Sequence, residues 1–207
     1  MSQFYEIVNE SVPDTEPKRQ VQSKYSKNRK LELASKWYLG KISKLNGREE
    51  DSDKFWSCKV YEGNLRLSVS KQYDGESQMF TITALNVPIV DKRVAEVIAS
   101  VASTDIQLVP VSIGHINDEY FILNVIRSCR CIDESRSMFS KWTEKDRRPE
   151  KIGDYKMMLK AVIDPRQATD AEIFRVVGWD IMLAVSEKLK TKLETIHTTG
   201  ISFIPLA

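Results

Sequence analysis

The chain has 207 residues, 42% of them hydrophobic and 29% charged, with a formal net charge of +2. Those proportions suit a water-soluble globular chain, long enough to bury one large core or two small ones. No apolar run approaches the about 18 residues of a membrane span, the N-terminal stretch lacks a basic-then-apolar secretory signal, and an odd set of cysteines, Cys58, Cys129 and Cys131, argues against a disulfide framework. A reducing, cytoplasmic home without membrane contact is the expectation.

Phe4 to Val8 reads as a first strand. Asn9 to Asn28 is rich in Pro, Ser, Gln and Lys, lacks an apolar period, and reads as a loop or linker. From Lys18 to Arg48 ten lysines and arginines stand against one acid, Glu32; Glu49, Glu50, Asp51 and Asp53 follow at once. A charge run of this kind is usually a solvated face. Its functional alternative is a patch for an acidic protein, a membrane or a nucleic acid. The chain as a whole is not strongly basic and carries no nucleic-acid signature, so binding through residues 18–48 stands as the second reading.

Trp37 to Ile42 is a short apolar stretch, and Asn46-Gly47 marks a turn. Phe55 to Tyr61 and Leu65 to Val69 alternate around Gly63-Asn64, which predicts a hairpin. After a turn at Asp74-Gly75, the β-branched run from Met79 to Leu85 predicts a strand.

A duplication begins here. Within Val87–Ile113 and Met182–Ala207, an ungapped alignment at an offset of 95 pairs Val90 with Val185, Thr104 with Thr199, Ile106 with Ile201 and Pro110 with Pro205. Each copy reads as strand, capped amphipathic helix and return strand. Asp91 caps the first helix, with Val94, Val97, Ile98 and Val101 on one stripe. Ser186 caps the second, which carries Leu189, Leu193 and Ile196, ends at His197 and is followed by a left-handed turn at Gly200. Pro110 lacks a donor N–H, which predicts an edge strand or a bulge.

Between the copies, Gly114 to Asp118 is a turn and Tyr120 to Ile126 the most strand-like run of the chain. Arg127 to Asp154 reads as a long polar segment with little structure of its own, and such segments are often functional. Its Trp142, beside Arg147 and Arg148, has the composition of a binding hot spot. Tyr155 to Asp164 returns to strand pattern, and Ala171 to Val177 is ambiguous between strand and helix.

The chemistry of catalysis is thin. There is no Gly-x-Ser-x-Gly elbow, P-loop, dinucleotide motif or His-Glu-x-x-His. His115 sits in a turn without a nucleophile near it, and Cys129-x-Cys131 lacks structural-zinc spacing.

The stretches VPIVDKRVAEVIASVASTDIQLVPV, FILNVIRSCRCID, RRPEKIGDYKMML, FRVVGW and VSEKLKTKLETIHTTGISFIPL, in that order from about Val87 to Leu206, resemble immunity-protein family eleven of bacterial polymorphic toxin systems. The resemblance implies a cytoplasmic protein that binds and neutralises a cognate toxin encoded by a neighbouring gene, with no reaction, metal or cofactor of its own. In some related gene pairs the neighbour looks like a small HNH-type nuclease.

The expected fold is α+β, with largely antiparallel sheets and two similar strand–helix–strand units, about 87–113 and 182–207. Residues 1–80 form an N-terminal strand, linker and hairpin region, and 81–207 the immunity-family domain. The candidate partner-binding residues are Trp142, Arg147, Arg148 and Arg136, then His115 and Asp118 at the second-choice turn.

Overall fold

The structure, a computed structural model, describes residues 3–9, 37–44, 52–63, 67–74, 76–83, 86–116, 118–168 and 170–206. The linker expected at Asn9–Asn28, beyond Asn9, and the turn at Asn46-Gly47 lie outside them. So do the basic run 18–48, except for residues 37–44, and the turn residues Asn64 and Gly75.

Among the described residues, two helices and thirteen strands make a mixed α+β fold. One sheet has the order β13-β1-β12-β11-β8: Ile201–Pro205, Phe4–Asn9, Trp179–Ser186, Ile173–Val176 and Ser128–Cys129. A second has the order β2-β3-β6-β7-β5-β4: Trp37–Lys44, Leu67–Asp74, Ile106–Ile113, Tyr120–Val125, Pro88–Asp91 and Phe80–Ile82. A two-stranded ribbon pairs β9, Met138–Lys141, with β10, Tyr155–Lys160. Among the described ladders, β3·β6 and β8·β11 pair in parallel and the others are antiparallel.

Helix α1, Lys92–Ala102, starts where the Asp91 carboxylate accepts from the Val94 N–H at 2.8 Å. Helix α2, Glu187–Thr195, starts where the Ser186 hydroxyl accepts from the Leu189 N–H at 3.2 Å. Each cap satisfies a first-turn donor that has no partner inside its helix. β5 and β6 both lie antiparallel to β7, so they run parallel to each other with α1 between them in the chain. β12 and β13 flank β1 in the same way, with α2 between them. The registers correspond as well: Phe121 stands opposite Val90 and Pro110, and Tyr5 opposite Val185 and Pro205.

The turn after each helix braces the other sheet. Thr199 Oγ1 accepts from the Met79 N–H at 3.1 Å, just before β4. Asp105 Oδ2 accepts from the Glu172 N–H at 2.9 Å, just before β11. Gly200 (φ +84°) is confined by space as well as conformation: a Cβ there would lie 2.1 Å from the Phe80 carbonyl oxygen.

One apolar cluster joins both helices to one face of each large sheet, through Val94, Ile98, Leu189 and Leu193 with Tyr5, Val185, Val90 and Leu123. The opposite face of the six-stranded sheet buries Leu39, Phe55, Tyr61 and Ile122, and that of the five-stranded sheet Phe4, Cys131, Phe174 and Ala184. Alternate residues of β12, Leu183 and Ala184, therefore enter different cores, as period-2 geometry requires.

Several expectations need correction. Phe55–Tyr61 is no strand: Ser52–Phe55 forms a 3-10 turn, and the Phe55 and Tyr61 rings stack at 4.8 Å, so it is burial of this pair that spaces the apolar residues. The antiparallel partner of β3 is β2. Pro110 lies in an interior strand, between β3 and β7, where it stands opposite Phe121. α2 ends at Thr195, and His197 stands beyond it in a left-handed turn (φ 51°). Ala171–Val177 resolves to the strand β11.

Candidate partner-binding surface

The segment Arg127–Asp154 is not structureless. It holds β8, β9 and two 3-10 turns, and it leads into β10 to complete the ribbon. Register sets which side chains share a face. Lys141 opposes Tyr155 and Phe139 opposes Met158, while Ser140 opposes Met157 and Met138 opposes Lys160. Lys156 and Leu159 are the extra residues at two bulges.

The first face turns inward. Tyr155 meets Phe139 edge-on at 5.1 Å, and its hydroxyl donates to Glu134 at 2.8 Å. Lys141 Nζ lies 2.6 Å from the same carboxylate. Burial, then the bond to Glu134, pushes the Tyr155 hydroxyl above its ordinary pKa, and Lys141 with Tyr155 holds the Glu134 carboxyl below the usual range. These contacts tie the two strands to the turn before β9, and the Tyr155 N–H, which donates to the Gly178 carbonyl at 2.9 Å, fastens the ribbon to the body.

The second face looks out. Met138 is 57% exposed and Met157 47%, and Leu159 in its bulge is 67% exposed. Four of the seven exposed large hydrophobics among the described residues, these three and Ile152, fall between 138 and 159, so the patch is local and not scattered.

Trp142 continues the alternation of the outer face into the connecting loop. Its N–H donates to the Asp154 carbonyl at 2.9 Å, and its carbonyl accepts from the Gly153 N–H at 3.1 Å, which closes the loop on itself. The half-buried ring has Arg148 Cζ at 5.6 Å, Lys151 Nζ at 5.8 Å and Lys156 Nζ at 5.1 Å from its centroid. Cations at these distances are drawn to the ring face and hold it in one orientation. Asp146 Oδ2 accepts from both the Thr143 N–H and the Thr143 hydroxyl at 2.9 Å, while Lys156 pairs with Oδ1. The Lys156 ammonium, with the Thr143 bonds, draws the Asp146 carboxyl down to about 2. Arg147 then takes a left-handed conformation (φ 56°), an unfavourable one for a residue with a side chain, and this aims its guanidinium into solvent. No ion-pair partner meets Arg147 or Arg148 among the described residues.

Trp142, Arg147 and Arg148 therefore come together in one loop. Arg136 stands at the other end of the ribbon, exposed, with its Nε 2.6 Å from Asp133. His115 and Asp118 are exposed in the turn where β7 begins, whereas Arg127, which leads into the ribbon segment, follows the other end of that six-residue strand. Lys151, Lys156, Met138, Met157 and Leu159 escaped the sequence reading. The signal was the run YKMMLK, which reads as a strand but only faces outward once its partner MFSK is known.

The remaining chemistry is dispersed. Cys129 and Cys131 are buried in one core, and burial pushes both thiols up, Cys131 to about 12. A depression of about 390 Å³ lies beside the end of α2, lined by Lys190, Glu194, His197 and Phe203 among others. His115 does not line it. No group of three or more His, Cys, Asp or Glu placed to hold a metal occurs among the described residues, and no helix there is long and apolar enough to cross a membrane.

The chain belongs to the immunity protein family Imm11, whose pattern matches residues 57–207. The comparison with curated proteins matches none to it.

Proposed function

We infer that this protein is a cytoplasmic immunity protein that binds and neutralises a cognate bacterial toxin, encoded by a neighbouring gene, through direct stoichiometric contact. The family membership carries this reading. Its setting is competition between bacteria, and its partner a small toxin module, the HNH-type nuclease being the variety suggested by related gene pairs. The two strand–helix–strand units act as copies of one rigid frame. Their equivalent caps, registers and cross-braces support that role.

The surface we assign to the toxin is the Trp142–Arg147–Arg148 loop, with Arg136 on the same ribbon and the His115–Asp118 turn in second place. A rigid aromatic anchor, already oriented, beside two guanidiniums that meet no ion-pair partner among the described residues is the arrangement that concentrates binding energy. The test is co-expression. Cells that carry the neighbouring toxin module should survive when the intact chain is present and die without it. Equal killing in both cases removes the immunity reading.

A further inference from the structure

The outer face of the ribbon carries a charge pattern that restricts what it can meet. Residues 133–160 contain eight basic side chains against six acidic ones; with the pairs Arg136–Asp133, Lys141–Glu134 and Lys156–Asp146 set aside, five basic side chains, Arg147 and Arg148 among them, remain against three acidic ones. At the centre of this positive rim stand the exposed Met138, Met157 and Leu159. We propose that this face docks an acidic protein surface of the toxin, carboxylates surrounding an apolar centre. The inference rests on the immunity reading and names the chemistry of the partner at that site.

Three observations carry it. Bare methionines and leucine at this exposure need apolar cover, and a flexible thioether adapts to a partner's shape. A nucleic-acid strand offers phosphates and base faces but no apolar side chains to bury them, so a protein partner is favoured over single-stranded DNA or RNA, although the Trp142 ring alone would suit either. The ribbon edge is also guarded: β10 carries Lys156 and Lys160 and two bulges break its ladder, which opposes strand addition and leaves the side-chain face as the means of recognition. A nuclease cleft that binds phosphates is itself basic, so this face would repel it. The contact therefore lies on an acidic part of the toxin away from its nucleic-acid site, and steering by the Arg147 and Arg148 charges sets the association rate.

The experiment uses the full chain and the toxin module encoded beside it. Association and dissociation rates are measured by surface plasmon resonance at 50 and 300 mM salt. The wild-type association rate should fall at least tenfold across that range. The pair Arg147→Gly with Arg148→Glu should slow association about tenfold, and Met157→Ser with Leu159→Ser should speed dissociation by tenfold or more, with far-UV circular dichroism unchanged in both. Arg147→Gly relieves a left-handed residue, so it does not threaten the fold. Wild-type binding that is indifferent to both pairs of substitutions overturns this inference and leaves the immunity reading standing. No wild-type binding together with no protection of cells overturns both. Binding of a twenty-nucleotide single-stranded DNA at 150 mM salt, lost in Arg147→Gly with Arg148→Glu, overturns the choice of a protein partner.

Discussion

Leu193→Ala probes the shared core. Leu193 is fully buried in the cluster that joins both helices to both large sheets. Truncation to alanine removes buried apolar atoms and leaves a cavity between packed elements that cannot close freely. The expected loss is about 3 to 4 kcal/mol, against a total stability on the order of 5–15 kcal/mol for a domain. Ile98, its counterpart at the offset of 95, is also fully buried there and should lose a similar amount when cut to alanine. The two helices touch, so the double variant should depart from additivity by about 0.5–3 kcal/mol. Ile204→Ala, at a position 43% exposed, is the control and should cost under about 1 kcal/mol. The assay is urea unfolding followed by circular dichroism and tryptophan fluorescence, with hydrogen exchange read separately at amides of β1 and β7. Both sheets should lose protection together. A Leu193→Ala protein in which β1 exchanges freely while β7 keeps the wild-type protection would refute the shared core.

Loss of either helix cap, Asp91→Ala or Ser186→Ala, should cost about 1 kcal/mol in thermal or urea unfolding, and a loss below a few tenths would show that the caps are idle. The Asp146 carboxyl is held at about 2 against an ordinary 3.8, so its bond to Lys156 supports the Trp142 loop fully above 3.8 and is lost as pH falls through about 2. The Trp142 environment, read by NMR of the indole, should stay fixed at pH 4 and change near pH 2, and Asp146→Asn should abolish that step. Arg175 is 1% exposed; its Nη1 donates to the Asp180 carbonyl at 2.6 Å, while Nε and Nη2 meet no acceptor among the described residues. Arg175→Met should raise stability by about 1 kcal/mol or more by removing a poorly compensated buried charge, and a destabilised variant in urea would contradict this.

The helices were legible because their signals are local: an apolar stripe, a capping Asp91 or Ser186, a permissive Gly200. The repeat also located β6 and β13 to within a residue. Nothing in FYEIV reveals that β1 inserts between β12 and β13, since partner choice among strands depends on contacts nearly two hundred residues away in the chain. The ribbon was half hidden for a different reason: Tyr155–Asp164 reads as a strand, but its partner Met138–Lys141 has only four residues, too few to show a period of two, and the bulges at Lys156 and Leu159 obscure which side chains face out. Trp142, Arg147 and Arg148 could be named from composition, but the three cations over the ring could not, because Lys156 reaches it from the opposite strand.

The central claim is that neutralisation is a matter of occupancy and not of bond-making. Titration of the purified toxin module with the intact chain, scored by residual toxin activity, tests it most directly. Activity should fall in proportion and vanish at one equivalent, and toxin recovered by denaturation and refolding should have its original mass and full activity. Complete silencing at a small fraction of an equivalent, or recovery of a toxin with altered mass, would contradict the account.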